Sequence, residues 1–200
     1  MKIVIVTQAR VGSTRLPEKV LKKVDDKHTL LSLHLERLKK SKLASSIVVA
    51  TTNEKGAEKI ISIAKEASIK SYQGSVDDVL DRFYQAVVPE NPDYVVRVTS
   101  DCPLIDAELL DRTINKAITE QLDYLMLDEN FPDGIDIEVI SFNSLKKAWE
   151  KAKLPSEREH VHLTYAITLL SKGKNYSKEV FIHQKDITTI SALQLMSLLT

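Results

Sequence analysis

Short apolar runs alternate with helical periodicity along most of this chain. Ile3–Val6, Ile47–Ala50 and Tyr94–Val98 are compact and rich in β-branched residues, the pattern of strands covered on both faces. Between the first two, Leu31, Leu35 and Leu38 fall at helical offsets, with Lys39 and Lys40 near the end where cations suit the helix dipole. Between the second and third, Ala57, Ile60, Ile61, Ala64 and Ala67 mark an amphipathic helix. A shorter helix follows with Val79, Leu80, Phe83 and Val87 as its inner stripe. Ser75 is expected to cap it, with Asp78 three residues on, and Pro89 and Pro92 close it. After the Tyr94 strand, Asp106 is expected to cap a helix carrying Leu109, Leu110, Thr113, Ile114 and Ala117. This β-α-β-α-α-β-α order predicts an α/β fold, a parallel sheet wrapped by helices.

The rhythm changes after about residue 120. Tyr124–Leu127 and Ile135–Ile140 are strand candidates separated by the turn-type sequence Phe131-Pro132-Asp133-Gly134. In the second, Ile135, Ile137 and Val139 alternate with Asp136 and Glu138, which predicts one apolar and one acidic face. A helix with Leu145, Ala148, Trp149 and Ala152 follows. Another is expected to open at Ser156, with Glu159 in capping-box register. The tail reads as an apolar helix through Ile190, Leu193, Leu195, Leu198 and Leu199, suited to packing or a subunit contact.

Composition narrows the class. Two hundred residues, 43% hydrophobic and 28% charged, suit one folded domain with an irregular second half and exclude disorder for the bulk of the chain. Lys+Arg and Asp+Glu are both 28, so no global field attracts nucleic acid or an anionic membrane. One cysteine, Cys102, cannot form an internal disulfide, and no Cys/His set has zinc spacing. No stretch reaches the roughly 18 apolar residues that span a bilayer. Four apolar residues after Met1-Lys2 are too short for a signal-peptide core, so the expected address is the cytoplasm.

Ligands of open α/β sheets bind outside the carboxyl ends of the strands. Three segments should therefore converge: Thr7–Lys23, Thr51–Asn53 and Thr99–Leu104. From Gln8 to Lys23, Arg10, Arg15, Lys19, Lys22 and Lys23 face only Glu18, on a chain that is neutral overall. Gly12 permits close backbone approach, and the cations offer charge-assisted bonds to phosphate oxygens. Such a loop suits a triphosphate, although it is neither Gly-x-Gly-x-x-Gly nor a Walker P-loop; a solvated basic loop is the alternative. Asp101, at a strand end, suits a Mg²⁺ shared with phosphate oxygens, or else is a turn aspartate bonded to nearby amides. Cys102 has no adjacent cation or histidine and reads as a buried, inert thiol.

These segments resemble the cytidylyltransferases that make CMP-activated sugars, in particular their spore coat polysaccharide biosynthesis protein F branch. The matching blocks run in order: Gln8–Lys19; Val48–Thr52; Gly74-Ser75 with Asp77–Arg82; Arg97–Asp106; Pro132–Val139; and Leu154–Val161. The resemblance implies a nucleotide-diphospho-sugar transferase fold, a three-layer α/β/α sandwich with a mixed, mostly parallel sheet, commonly dimeric. Residues 1–120 would form the nucleotide-binding half, and 121–200 the sugar-binding and dimerisation half with an atypical tail. It further implies that Arg10, Ser13, Arg15 and Lys19 hold the triphosphate, with Gly12 allowing approach. Gln8, Ala9, Thr51, Gly74 and Ser75 would surround base and ribose, and Asp101 would ligate Mg²⁺. Asp133, Asp136, Glu138, Arg158, Glu159 and His160 would face the sugar. Asp133 as a turn cap and His160 as a helix-surface or core histidine are the plainer alternatives. The chain departs from the family where members carry a Val-Asp-Thr-Pro-Glu-Asp-like segment with a metal-binding Asp: here Val180–Asp186 is followed by no further acid, and Asp186 does not align with that ligand.

The expected activity is Mg²⁺-dependent transfer of CMP from CTP to an acidic or related sugar, with release of pyrophosphate, in cell-surface or spore-coat polysaccharide synthesis. Arg15, Lys19 and Asp101 would carry it, in a homodimer that binds neither nucleic acid nor membrane. The alternatives are a sugar-1-phosphate nucleotidyltransferase or glycosyltransferase-like enzyme on the same fold, and a non-catalytic nucleotide-binding subunit.

Overall fold

The structure, a computed structural model, describes residues 1–12, 16–127, 131, 134–159 and, for backbone alone, 178–181. Seven strands form one sheet: β1 (Ile3–Gln8), β2 (Ser46–Thr52), β3 (Lys70–Gly74), β4 (Tyr94–Thr99), β5 (Tyr124–Leu127), β6 (Ile137–Ser141) and β7 (Lys178–Phe181). Their order is β3-β2-β1-β4-β6-β5-β7. β6 runs antiparallel to both its neighbours, and every other pairing is parallel. The helices are α1 (Leu30–Leu38), α2 (Ala57–Glu66), α3 (Val79–Val87), α4 (Ala107–Thr119), α5 (Phe142–Lys151) and the single turn α6 (Pro155–Arg158).

Strand alternation sends successive side chains into two different cores. Ile3, Ile5, Val49, Val96, Val98 and Val139 pack under Leu31 and Leu35 of α1, Ile60 of α2, and Leu110 and Ile114 of α4. Val4, Val6, Val48, Val95 and Ile140 pack under Leu80, Phe83 and Val87 of α3 and Leu145 of α5. The expected α/β/α sandwich with a mixed, mostly parallel sheet is the observed one. β3 has no counterpart in the apolar runs because it is an edge strand, exposed along much of Lys70–Gly74.

Two expected caps move. The α3 cap is Asp78, whose carboxylate accepts from Asp81 N at 2.9 Å, while Ser75 Oγ accepts from the amides of Asp77 and Asp78 one turn earlier. α6 starts at Pro155, and it is Glu157 that reaches back to the amides of Lys153 and Leu154. Asp106 caps α4 as expected, accepting from Leu109 N at 2.8 Å. The apolar tail after residue 181 lies outside the described residues. Among the described residues no helix is long and apolar enough to cross a membrane.

Candidate active site

β1, β2 and β4 are parallel and in register, so Gln8, Ala50 and Thr99 end side by side. The loops that leave them meet above this edge. After β1 the basic loop is closed by a bond from Glu18 N to the Val11 carbonyl at 3.1 Å. Glu18 sits in the left-handed region with φ 53° and turns its carboxylate out to Lys59 of α2, 2.7 Å away. The loop's lone acid is thus engaged from outside, by Lys59. Lys19 Nζ lies 3.2 Å from Asp101 Oδ2. Partial burial works against the charged form of Asp101, but the Lys19 hydrogen bond and charge outweigh it, so the carboxyl stays below its ordinary range. Two segments 82 residues apart in sequence thus meet at Lys19 and Asp101.

The turn that carries Asp101 is anchored on both sides. Ser100 donates from its hydroxyl and its amide to the Gln8 carbonyl. Cys102 is buried beside Thr99 Oγ1 at 2.8 Å, and burial pushes its thiol up and keeps it protonated. That environment suits the inert thiol expected from its neighbours. Cys102 Sγ lies 4.0 Å from Asp101 Oδ1 and 3.8 Å from Asp136 Oδ2, so the two carboxylates flank it. Asp136 is exposed.

Unpartnered polar side-chain atoms lie near the same strand ends. Both polar atoms of the Gln8 amide are buried without a hydrogen-bond partner among the described residues, as are Thr51 Oγ1 and Arg82 Nε. By strand alternation Gln8 projects toward α3 with Val4 and Val6, and Thr51 toward α1 and α2 with Val49. The expected base and ribose set therefore divides between the two faces of the sheet. Ala9 is buried and bonded through its amide to Ala50 O. Arg82, buried on α3, donates to the carbonyls of Ser75 and Val76. Its own burial, then the charge of Arg10, disfavours its cationic form. The Glu54 and Asp78 carboxylates act in the opposite direction.

Several assignments change. A Cβ on Gly12 would meet the Glu54 carboxylate, so this glycine also makes room for a protein side chain. Gly74 likewise accommodates α3, its absent Cβ lying 2.9 Å from Arg82 Cγ. Glu138 does not face a sugar. The antiparallel register sets it opposite Arg97, and the two form a buried ion pair that also accepts from Tyr124 Oη at 3.0 Å. Of the two acids expected on one face, Glu138 is buried and neutralised by Arg97, while Asp136 is exposed. Arg158 is held by Asp78 at 2.7 Å and by the carbonyls of Trp149 and Ala152, which ties α6 to α3. Glu159 follows it, exposed, at the end of α6. Ser13, Arg15, Asp133 and His160 lie outside the described residues. Reading the sequence missed Arg82, Glu54 and His34; the signal for His34 was a histidine on the Leu31–Leu35–Leu38 stripe.

The family model described as "Cytidylyltransferase" matches residues 3–199. The chain belongs to the cytidylyltransferase family. This cytidylyltransferase-family chain is 42% identical over 161 residues to the uncharacterized protein MJ1063 of Methanocaldococcus jannaschii, covering 80% of this chain and 65% of that one. It is 33% identical over 147 residues to the spore coat polysaccharide biosynthesis protein SpsF of Bacillus subtilis, covering 72% and 60%. A shorter match, 35% over 116 residues, links it to 3-deoxy-manno-octulosonate cytidylyltransferase of Chloroherpeton thalassium, covering 57% of this chain and 45% of that one. Among solved structures, a cytidylyltransferase from Leptospira borgpetersenii superposes with a TM-score of 0.85 at 35% identity, covering 94% of this chain and 79% of that one. The chain thus spans less than two thirds of the length of these curated relatives.

Proposed function

We propose that this chain binds CTP at the carboxyl edge of β1, β2 and β4 and transfers CMP to an acidic sugar. A sugar hydroxyl oxygen forms a bond to the α-phosphorus as the bond from that phosphorus to the bridging oxygen breaks. Pyrophosphate leaves with the electron pair, and the hydroxyl proton is lost to solvent or a base. Lys19, Arg10 and Arg15 neutralise the triphosphate, and Lys19 holds charge on the departing pyrophosphate. Gln8 supplies the unsatisfied amide for the base. Positioning and charge neutralisation account for such a transfer without a covalent intermediate on the protein, in keeping with the protonated state of Cys102.

Among the described residues no three His, Cys, Asp or Glu side chains form a cage for a metal. The partly exposed Asp101 carboxylate is the kind of oxygen donor that suits Mg²⁺, which usually keeps its waters and takes one or two carboxylates plus substrate phosphates. Asp101 would hold it, with Asp136 beside it. When bound, Mg²⁺ supplies charge neutralisation at the phosphate oxygens. Asp133, Glu159 and His160 remain proposed for the sugar. The names of the relatives support a sugar acid as acceptor and a place in surface polysaccharide synthesis.

The observation that carries this reading is the 3.2 Å approach of Lys19 to Asp101. Pyrophosphate release is measured with CTP, GTP and UTP against a panel of sugar acids. Activity with CTP that falls on the order of a hundredfold in Asp101→Asn supports the reading. Activity untouched by that change refutes the role of Asp101. Preference for another nucleotide selects the sugar-1-phosphate reading, and CTP binding without turnover selects a non-catalytic subunit.

A further inference from the structure

His34 is fully buried on α1, among leucines, and takes no part in the chemistry described above. Its Nδ1 lies 2.9 Å from the Cys102 carbonyl and its Nε2 lies 3.0 Å from Thr7 Oγ1. A carbonyl oxygen can only accept, so Nδ1 carries the proton. Burial holds the ring far below its ordinary pKa, at about 4, so it is neutral near pH 7 and Nε2 accepts from the threonine hydroxyl. One imidazole thereby joins the penultimate residue of β1, where the cationic loop departs, to the residue after Asp101. The turn is gripped twice more. Ile105 N donates to the same Cys102 carbonyl at 3.3 Å, and Arg37, one helical turn beyond His34, donates to Ile105 O at 2.9 Å. On the other side of Asp101, Ser100 is bonded to Gln8 O.

We infer that His34, in its Nδ1–H form, is a positioning residue that fixes the Asp101 carboxylate relative to the cationic loop and so sets the affinity for a divalent cation bound with CTP. The inference rests on the proposed role of Asp101. The tautomer is set by these two named partners. Partners that orient a metal ligand typically contribute about 10–100-fold to metal affinity.

The experiment has two arms. Nitrogen-15 NMR of the full chain reports the ring: a protonated Nδ1 and an unprotonated Nε2 are expected, and the reverse tautomer overturns the inference. Binding of Mn²⁺ in the presence of CTP is then followed by electron paramagnetic resonance in wild type, Asp101→Asn, His34→Phe and His34→Asn. The phenylalanine keeps the volume and removes both bonds, and a weakening of about tenfold or more is expected. The asparagine amide can donate to the Cys102 carbonyl and should recover most of that loss. Weak binding in Asp101→Asn with wild-type binding in His34→Phe overturns the positioning role and leaves the proposed function intact. Wild-type binding in Asp101→Asn overturns the metal reading instead, while the tautomer still tests the hydrogen bonds. Should His34→Phe fail to fold, Thr7→Val takes its place, with a threefold or greater loss expected and unchanged affinity counting against the inference.

Discussion

Replacing Glu138 separates two jobs that a carboxylate on β6 could hold, contacting a sugar or neutralising the core. Glu138 and Arg97 are each 5% exposed, and Arg97 Nε already lacks a partner among the described residues. Removing the carboxylate leaves a buried guanidinium uncompensated, which costs about 3–5 kcal/mol. Glu138→Gln keeps an acceptor and should fall near about 3 kcal/mol, and Glu138→Leu near about 5 kcal/mol. That is a large share of a typical total of about 5–15 kcal/mol. With a urea slope of about 2 kcal/mol per molar, the glutamine variant should unfold about 1.5 M earlier. Because the penalty is the orphaned charge, Arg97→Met combined with Glu138→Leu should restore most of the stability. Tyr124→Phe, which removes one bond to the ionised carboxylate, should cost about 1–3 kcal/mol. Urea unfolding followed by circular dichroism reads all four, alongside the KM for the acceptor. A Glu138→Gln protein that unfolds at the wild-type midpoint but has a tenfold raised acceptor KM would refute the argument and return Glu138 to the sugar.

Further outcomes follow from other contacts. The unfolded chain protonates His34 near pH 6.5 and the folded chain only near about 4, so the stability present above pH 6.5 is lost as the pH falls through that window. About 2.5 pH units give about 3 kcal/mol; urea midpoints at pH 7 and pH 4 should show this extra loss in wild type and not in His34→Phe, and equal losses would count against a buried neutral ring. Gly74→Ala presses a methyl group to within 2.9–3.0 Å of the Arg82 stem and the Tyr72 ring and should cost about 1–3 kcal/mol. Gly12→Ala meets only the end of the Glu54 side chain, which can swing aside, and should cost under about 0.5 kcal/mol; thermal unfolding of the pair checks the order. Arg158→Met loses the bond to Asp78 and two carbonyls and should lower the Tm by about 2–8 °C at an unchanged acceptor KM, whereas an unchanged Tm with a raised KM would restore its sugar-facing role.

Local periodicity was enough to find the strands and helices that are buried, because burial on both faces demands the apolar runs of β1, β2 and β4 and the stripes of α1–α4. It could not find β3, whose edge position asks for no apolar pattern, nor see that β6 inserts antiparallel between β4 and β5. The charge imbalance of residues 8–23 and the strand-end position of Asp101 were also legible, since both follow from order along the chain. What each polar side chain faces was decided only by the fold. The alternation Asp136–Ile137–Glu138 contains nothing that distinguishes its two acids, yet register with Arg97 takes Glu138 into the core and leaves Asp136 exposed beside Cys102. In the same way Arg158 went to Asp78, 80 residues away, and His34 to the turn after β4. Backbone propensity and hydrophobic spacing act between neighbours in sequence, whereas the partner of a buried charge is fixed by sheet register and helix packing, which only the assembled chain defines.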